Sequence, residues 1–220
     1  MALVSRYGND DQFQKNLIKG VNSFFKPPLE WIQKGMCYML ALDWILKYLA
    51  EPAKRQNTAE RVFDAITSNI AELRMIANNY AAYAGDILEI EQGKTRDMEL
   101  RRMEYLIKQT AAHVSILSRN TRTATPYLPT FNLVPTPTAL GKIHIIPRKE
   151  AYFILFLYEA EGNMHGHAVG MIADKEGDYR IYDPNYGIIR ATVISDVFAS
   201  VLPQYTKNFE SIKVNVMLIK

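Results

Sequence analysis

Short β-rich runs follow one another through the second half of the chain, most of them with only a few residues between. The turn signals "EGN", "DKEGD" and "DPNYG" separate neighbouring runs. A parallel connection needs about a dozen residues or more, so strands joined by such short turns must be antiparallel. The pattern predicts an antiparallel sheet whose strands span residues 142–146, 151–160, 166–173, 179–182, 188–192 and 212–219.

The first half has helical periodicity instead. Residues 35–48, "GMCYMLALDWILKY", are apolar on almost every side, and Asp43 and Lys47 form a polar pair one helical turn apart. This pattern predicts a helix that is buried on most of its faces.

Further helices follow in the first half. Asn57 and Glu60 have capping-box spacing ahead of apolar residues that recur as far as Leu73, which predicts a second helix. Two more helical patterns span residues 79–91 and 97–117. Helices first and a sheet second predict an α+β fold.

Residues 119–141 separate the two halves and contain Pro126, Pro129, Pro135 and Pro137. Prolines at this density interrupt regular elements, so an irregular crossover loop is predicted. The length of 220 residues suits one compact domain. The expected boundaries are an N-terminal arm at 1–30 and a single domain at 31–220, divided into a helical half at 31–118, the crossover at 119–141 and a sheet half at 142–220.

Composition excludes several classes of protein. Hydrophobic residues make up 48% of the chain and charged residues 22%, as in an ordinary globular protein. The net charge of +3, with Lys and Arg spread along the helical patterns, argues against nucleic-acid binding. No run reaches the roughly 18 to 20 apolar residues that span a bilayer, so no integral membrane association is expected. No classical secretory signal peptide is expected, because the N-terminal residues lack a basic stretch followed by an apolar core.

Cys37 is the only cysteine, which excludes an intramolecular disulfide and a Cys-rich zinc site. It lies at the predicted start of the first helix, where the helix dipole and the unpaired N–H groups favour a thiolate. A nucleophilic role also needs a base and a group that orients the base. On its position alone, Cys37 fits either a nucleophile or a small buried hydrophobe.

His167 and Asp183 lie on successive strands joined by the "DKEGD" turn. Their even separation allows both to share one face of the hairpin if it contains an odd loop or a bulge, for which Gly177 is suited. The pair then fits a base and the residue that orients it. Taken singly, Asp183 is equally typical of a turn residue that caps its own backbone, and His167 of a buried, hydrogen-bonded histidine.

Three other histidines compete for the role of base. His165 shares strand parity with His167 but lies nearer to the preceding turn, so His167 is preferred. His113 and His144 have no partner that the sequence suggests, and they are interpreted as structural.

The segments "GMCYMLALDWI", "GHAVGM" and "YDPNYG" resemble the YopT/AvrPphB-type papain-like cysteine protease family of bacterial type III effectors. The resemblance implies a papain-like fold in which Cys37 is the nucleophile, His167 the general base and Asp183 the residue that holds the imidazole. It also implies an oxyanion-hole side chain ahead of the cysteine, for which Gln33 is the nearest amide and Asn22 a distant alternative. No metal and no organic cofactor is required.

The same resemblance implies a bacterial protein that is secreted into the host cell cytosol, with a type III secretion signal in the polar N-terminal arm. Its substrate would be a host protein such as a small GTPase or a kinase. Two other functions stay open. The order Cys, His, Asp also suits a Cys-dependent acyl or amide transferase, and the fold could serve as a non-catalytic binding module. The sequence makes no prediction of the oligomeric state.

Overall fold

The computed structural model describes residues 5–7, 36–51, 58–69, 71–79, 96–133, 150–160, 163–175, 178–192 and 212–220. The helices in these ranges are α1 (Cys37–Ala50), α2 (Thr58–Thr67), α3 (residues 71–79) and α4 (Arg96–Leu117). The strands in the same ranges are β1 (Ser5–Tyr7), β2 (Ala124–Leu133), β3 (Glu150–Ala160), β4 (Asn163–Lys175), β5 (Asp178–Asp183), β6 (Gly187–Ala191) and β7 (Ile212–Ile219).

The described strands form one sheet in the order β1-β6-β5-β4-β3-β7-β2, and every neighbouring pair is antiparallel. This confirms the predicted α+β fold with its antiparallel sheet. Residues 5–7 of the N-terminal arm form one edge of the described sheet by pairing with β6. The predicted strand at 142–146 and nearly all of the predicted helix at 79–91 lie outside the described residues.

Helix α1 packs on one face of the sheet, where Trp44 and Ile45 lie directly against Gly170 of β4. Alternate residues of β3 divide between two apolar clusters, so that Phe153 belongs to the cluster that includes α1, and Ile154 to the other. The core therefore continues through both faces of the sheet. Within the described ranges, no helix has both the length and the apolar character needed to cross a lipid bilayer.

The predicted polar pair on α1 is confirmed. Lys47 Nζ lies 2.6 Å from Asp43 Oδ2 and also forms an ion pair with Glu72 of α3. Burial raises the pKa of Asp43, against the opposing attraction of Lys47. The pair therefore ties the first helix to the third and does not face open solvent.

The second helix is shorter than its apolar pattern predicts. The pattern continues to Leu73, but α2 ends at Thr67, Ser68 and Asn69 are not helical, and residues 71–79 are helical again. The side-chain oxygen of Asn69 accepts hydrogen bonds from the backbone N–H groups of Ala71 at 3.0 Å and Glu72 at 3.4 Å. Asparagine is a preferred N-cap because it satisfies donors that lack an intrahelical acceptor. One continuous helix is therefore wrong, while Asn57, the predicted first cap, lies outside the described residues.

Part of the proline-rich segment is a strand, which corrects the predicted loop for residues 124–133. This strand, β2, lies at an edge of the described sheet, where proline is tolerated because its missing N–H can face away from the neighbouring strand. Its pairing with β7 shifts register on both sides of Leu128. There the Asn215 side chain donates to the Leu128 carbonyl at 3.4 Å and to Thr130 Oγ1 at 3.2 Å. The remaining residues, 134–141, lie outside the described ranges.

Candidate active site

Cys37 is the first residue of α1 and is half-buried. The preceding residue, Met36, occupies the N-cap position, and its side chain makes no capping hydrogen bond. The first turn of α1 contains no acidic residue. The thiol therefore lies at the positive end of the helix dipole, and no carboxylate in that turn offsets the positive potential there.

The structure brings His167 and Asp183 together on neighbouring strands. Both residues are buried, and His167 Nε2 lies 3.1 Å from Asp183 Oδ1. The pairing of β4 with β5 has a register shift between Ala173 and Lys175, which is the bulge that a shared face requires. Gly177, which was expected to provide it, lies outside the described residues.

Asp183 is also a turn residue. Its Oδ1 accepts a hydrogen bond from the backbone N–H of Asn185 at 2.9 Å, and its carbonyl accepts one from Tyr186 N–H at 3.0 Å. Gly187 closes the turn with a φ of 85°, a conformation that favours glycine. The two interpretations of Asp183 are thus both true, because the turn holds the carboxylate that faces His167.

The pKa of His167 is raised from 6.5 to about 10. Burial is the largest influence and lowers this pKa, but the negative charges of Asp183 and Cys37, with hydrogen bonds to both, outweigh it. Since Nε2 faces Asp183, the hydrogen bond to Cys37 is assigned to Nδ1. Phe156 lies opposite His167 in β3, and the two rings stack with centroids 6.5 Å apart. The imidazole is therefore held in one orientation, between a carboxylate and a thiol.

Tyr182 is a neighbour of the site that sequence reasoning missed. Its ring is fully buried against Trp44, with centroids 5.4 Å apart. Burial raises its pKa, as do the negative charges of Asp183, Asp43 and Cys37. Tyr182 therefore stays neutral near pH 7 and does not compete with His167 as a base. It is the first residue of the "YDPNYG" motif, but sequence reasoning assigned it no role, because a tyrosine in a strand pattern is ordinary core.

His113 has a partner that the sequence did not suggest. Tyr38, the residue after Cys37, donates from its hydroxyl to Thr110 Oγ1 at 2.9 Å, and Thr110 Oγ1 donates to the Leu106 carbonyl at 2.7 Å. The Tyr38 oxygen is then the acceptor for His113 Nδ1, 3.2 Å away. The chain of donors ties the first turn of α1 to α4.

Of the other candidate residues, the structure describes the position of only some. Gln33, Asn22 and His144 lie outside the described residues. His165 lies in β4 and pairs with Tyr158 of β3. Among the residues that the structure describes, no group of three or more His, Cys, Asp or Glu side chains could hold a metal ion.

A helix that begins with a thiol, packed on an antiparallel sheet that carries a His–Asp pair, is the arrangement of papain-like cysteine peptidases. The arrangement therefore resembles this class, and the comparisons with known proteins bear on the same question. Residues 3–214 match the Peptidase_C58 family, described as Yersinia/Haemophilus virulence surface antigen, and the chain belongs to this family of cysteine peptidases.

A solved structure supports the same fold. The crystal structure of the Pseudomonas avirulence protein AvrPphB is similar to this chain with a TM-score of 0.54 and 11% sequence identity, and the match covers 84% of this chain and 91% of that one. At this identity the likeness concerns the fold alone. A search of curated protein sequences finds no match to the chain. The family and fold expected from the three sequence motifs are confirmed.

Proposed function

We propose that this protein is a papain-like cysteine endopeptidase, with Cys37, His167 and Asp183 as its triad. The observation that carries the proposal is the buried His167 imidazole, which lies 3.1 Å from Asp183 and is hydrogen-bonded to Cys37. A thiol nucleophile needs such a base, and the base needs a group that orients it.

In this mechanism His167 takes the proton from Cys37 Sγ through Nδ1, and the thiolate attacks the carbonyl carbon of the scissile peptide bond. Asp183 accepts the Nε2–H hydrogen bond and stabilises the imidazolium. The oxyanion is bound by the backbone N–H of Cys37, whose position at the start of α1 leaves it outside the intrahelical ladder, and by the Gln33 amide. Each donor contributes on the order of 2.7 to 4 kcal/mol to lowering the barrier.

Collapse of the tetrahedral intermediate breaks the C–N bond, and His167 returns its proton to the leaving amine. The acyl group is then held as a thioester on Cys37. A water molecule attacks this thioester while His167 accepts one of its protons, and the thiolate leaves as the acid product is released. His167 thus serves first as a base, then as an acid, and again as a base.

The biological setting is proposed from the family. Its description as a virulence surface antigen supports a secreted bacterial effector that acts on a host protein. The resemblance of the three sequence motifs adds a small GTPase or a kinase as the kind of substrate. Residues 1–30 would then contain a type III secretion signal, and residues 31–220 would be the catalytic domain. The family match from residue 3 and the pairing of β1 with β6 indicate that part of the arm also contributes to the sheet.

The proposal is tested without a substrate by measuring the rate at which a neutral haloacetamide alkylates Cys37 across the pH range. We expect reactivity well below about pH 7 in the wild type, and a loss of this reactivity in His167→Ala. His165→Ala is the matched control on the same strand and should keep the wild-type profile. A rate that rises only above about pH 8 in all three proteins would exclude a thiolate–imidazolium pair and favour a binding module.

The substrate is then sought by incubating host-cell extract with the wild type or with Cys37→Ala, followed by mass spectrometry of newly formed N termini. New termini that require Cys37 support the peptidase. Modified amines without new termini would instead indicate an acyl or amide transferase.

A further inference from the structure

Helix α1 contacts β4 at Gly170, a glycine that lies outside the triad. A Cβ atom on Gly170 would lie 2.9 Å from Trp44 Cε3, 3.0 Å from Ile45 Cγ1 and 3.1 Å from the backbone oxygen of Ala41. Non-bonded carbon atoms are optimally separated by about 3.5 to 4.0 Å, so a side chain here would force α1 away from β4. Gly170 does not have a positive φ, so the requirement for glycine is one of space.

The helix residues that touch Gly170 continue the face of α1 that begins with Cys37. Ala41, Trp44 and Ile45 stand at positions i+4, i+7 and i+8 from Cys37. Residues at these spacings share one face of a helix. Cys37 therefore lies on the same side of α1 as the contact with β4.

His167 and Cys37 also lie at similar distances from this contact, measured along β4 and along α1. His167 precedes Gly170 by three residues in β4, which corresponds to about 10 Å along a strand. Cys37 precedes the middle of the contacted stretch, residues 41–45, by six residues of α1, which corresponds to about 9 Å along a helix. Cys37 and His167 are therefore offset by similar lengths from the contact at Gly170, and the hydrogen bond between them shows that they lie at the same end of this contact.

We propose that Gly170 is a positioning residue that sets how closely α1 approaches β4 and so holds Cys37 within hydrogen-bonding reach of His167. This inference rests on the proposed function, in which these two residues are the nucleophile and its base. Hydrogen bonds weaken steeply with distance, and a misplacement of about 1 Å can cost an enzyme about a hundredfold in rate.

The test is the pH profile of Cys37 alkylation in Gly170→Ala. We expect alkylation at about pH 6 to be slower by about tenfold or more, with the profile displaced toward that of His167→Ala. Gly166→Ala is the matched control on the same strand. There the new Cβ would lie 3.5 Å from Leu157 Cδ2 and 3.8 Å from the Phe156 carbonyl, which are ordinary contacts. This control should keep the wild-type profile.

A second control separates positioning from stability. Val216→Ala removes methyl groups from the apolar cluster on the opposite face of the sheet, so it should lower the melting temperature and keep the reactivity at low pH. Thermal unfolding establishes that every variant is folded at the assay temperature. A wild-type profile in Gly170→Ala would overturn the proposal, as would an equal loss of reactivity in Val216→Ala.

If Gly170→Ala does not fold, the double variant Gly170→Ala/Trp44→Phe is compared with Trp44→Phe alone. The smaller ring makes room for the methyl group, but the Ala41 oxygen still meets it, so the double variant should react more slowly at about pH 6. Equal rates would contradict the proposal. Failure of the proposed function is a different outcome, because the wild type itself would then lack reactivity below about pH 7.

Discussion

Strand β5 begins and ends with a buried aspartate, and the two carboxylates have different partners. Asp178 lies 3.3 Å from Arg180 and 3.0 Å from Arg190, whereas Asp183 lies 3.1 Å from His167. An arginine cannot lose its proton in a protein, but an imidazole can. Burial and pairing are therefore common to both ends of the strand, and only the chemistry of the partner distinguishes the end that can transfer a proton.

The two aspartates also connect to different parts of the molecule. Arg180 also lies 3.8 Å from Glu60, so the Asp178 cluster joins α2 to the sheet. Asp183 instead belongs to a chain of contacts through His167 that ends at Cys37. The first arrangement fits a structural role, and the second fits the proposed chemistry.

The largest expected effect comes from removing the charge of Asp183. In Asp183→Asn the rate of substrate cleavage should fall by about 10²- to 10⁴-fold, because the imidazolium loses its counter-charge and the preferred tautomer is no longer enforced. The asparagine oxygen can still accept the hydrogen bond from Asn185 N–H, so the turn should persist. Single-turnover cleavage and thermal unfolding measure the two effects separately.

The matched variant at the other end of β5 is Asp178→Asn. It should cleave substrate at close to the wild-type rate but lose about 3 kcal/mol of unfolding free energy, because the buried Arg180 loses a counter-ion. Denaturant titration measures this loss. A large fall in cleavage by the folded Asp178→Asn protein would remove the distinction between the two aspartates.

The His167–Asp183 pair should also make the stability of the fold depend on pH. The pKa of His167 is raised to about 10, so its charged interactions stabilise the fold fully below pH 6.5, and this contribution is lost as the pH rises through about 10. The expected loss is on the order of a few kcal/mol in unfolding free energy. Urea unfolding of the wild type and of His167→Ala at several pH values measures it. Parallel pH dependence in the two proteins would contradict the assignment.

A smaller effect is expected beside the thiol. Tyr38→Phe removes the hydroxyl that donates to Thr110, which should cost about 1 kcal/mol in unfolding free energy. The ring would still pack against Phe153, whose centroid is 5.1 Å away, so the alkylation profile of Cys37 should not change. A displaced profile would mean that this hydrogen bond helps to position the thiol as well as the helix.

Much of the fold follows from local pattern. The predicted last strand, 212–219, coincides with β7, and the predicted helix at 97–117 begins one residue after α4 does. Period-two and helical spacing are properties of neighbouring residues, so a sequence displays them directly. The break at Asn69 and the edge strand β2 were not predicted, since a side-chain cap and an available partner strand can each override the local pattern.

The sequence by itself determined the α+β class, a buried first helix with Cys37 near its start, and His167 and Asp183 as candidates for a base and its orienting residue. Only the tertiary structure decided that His167 contacts Asp183, that Asp178 pairs with arginines, and that the space at Gly170 is filled by α1. The reason is physical. Periodicity is set by residues a few positions apart, whereas a proton donor, a counter-ion and the room for a helix depend on contacts between residues that are distant in the chain.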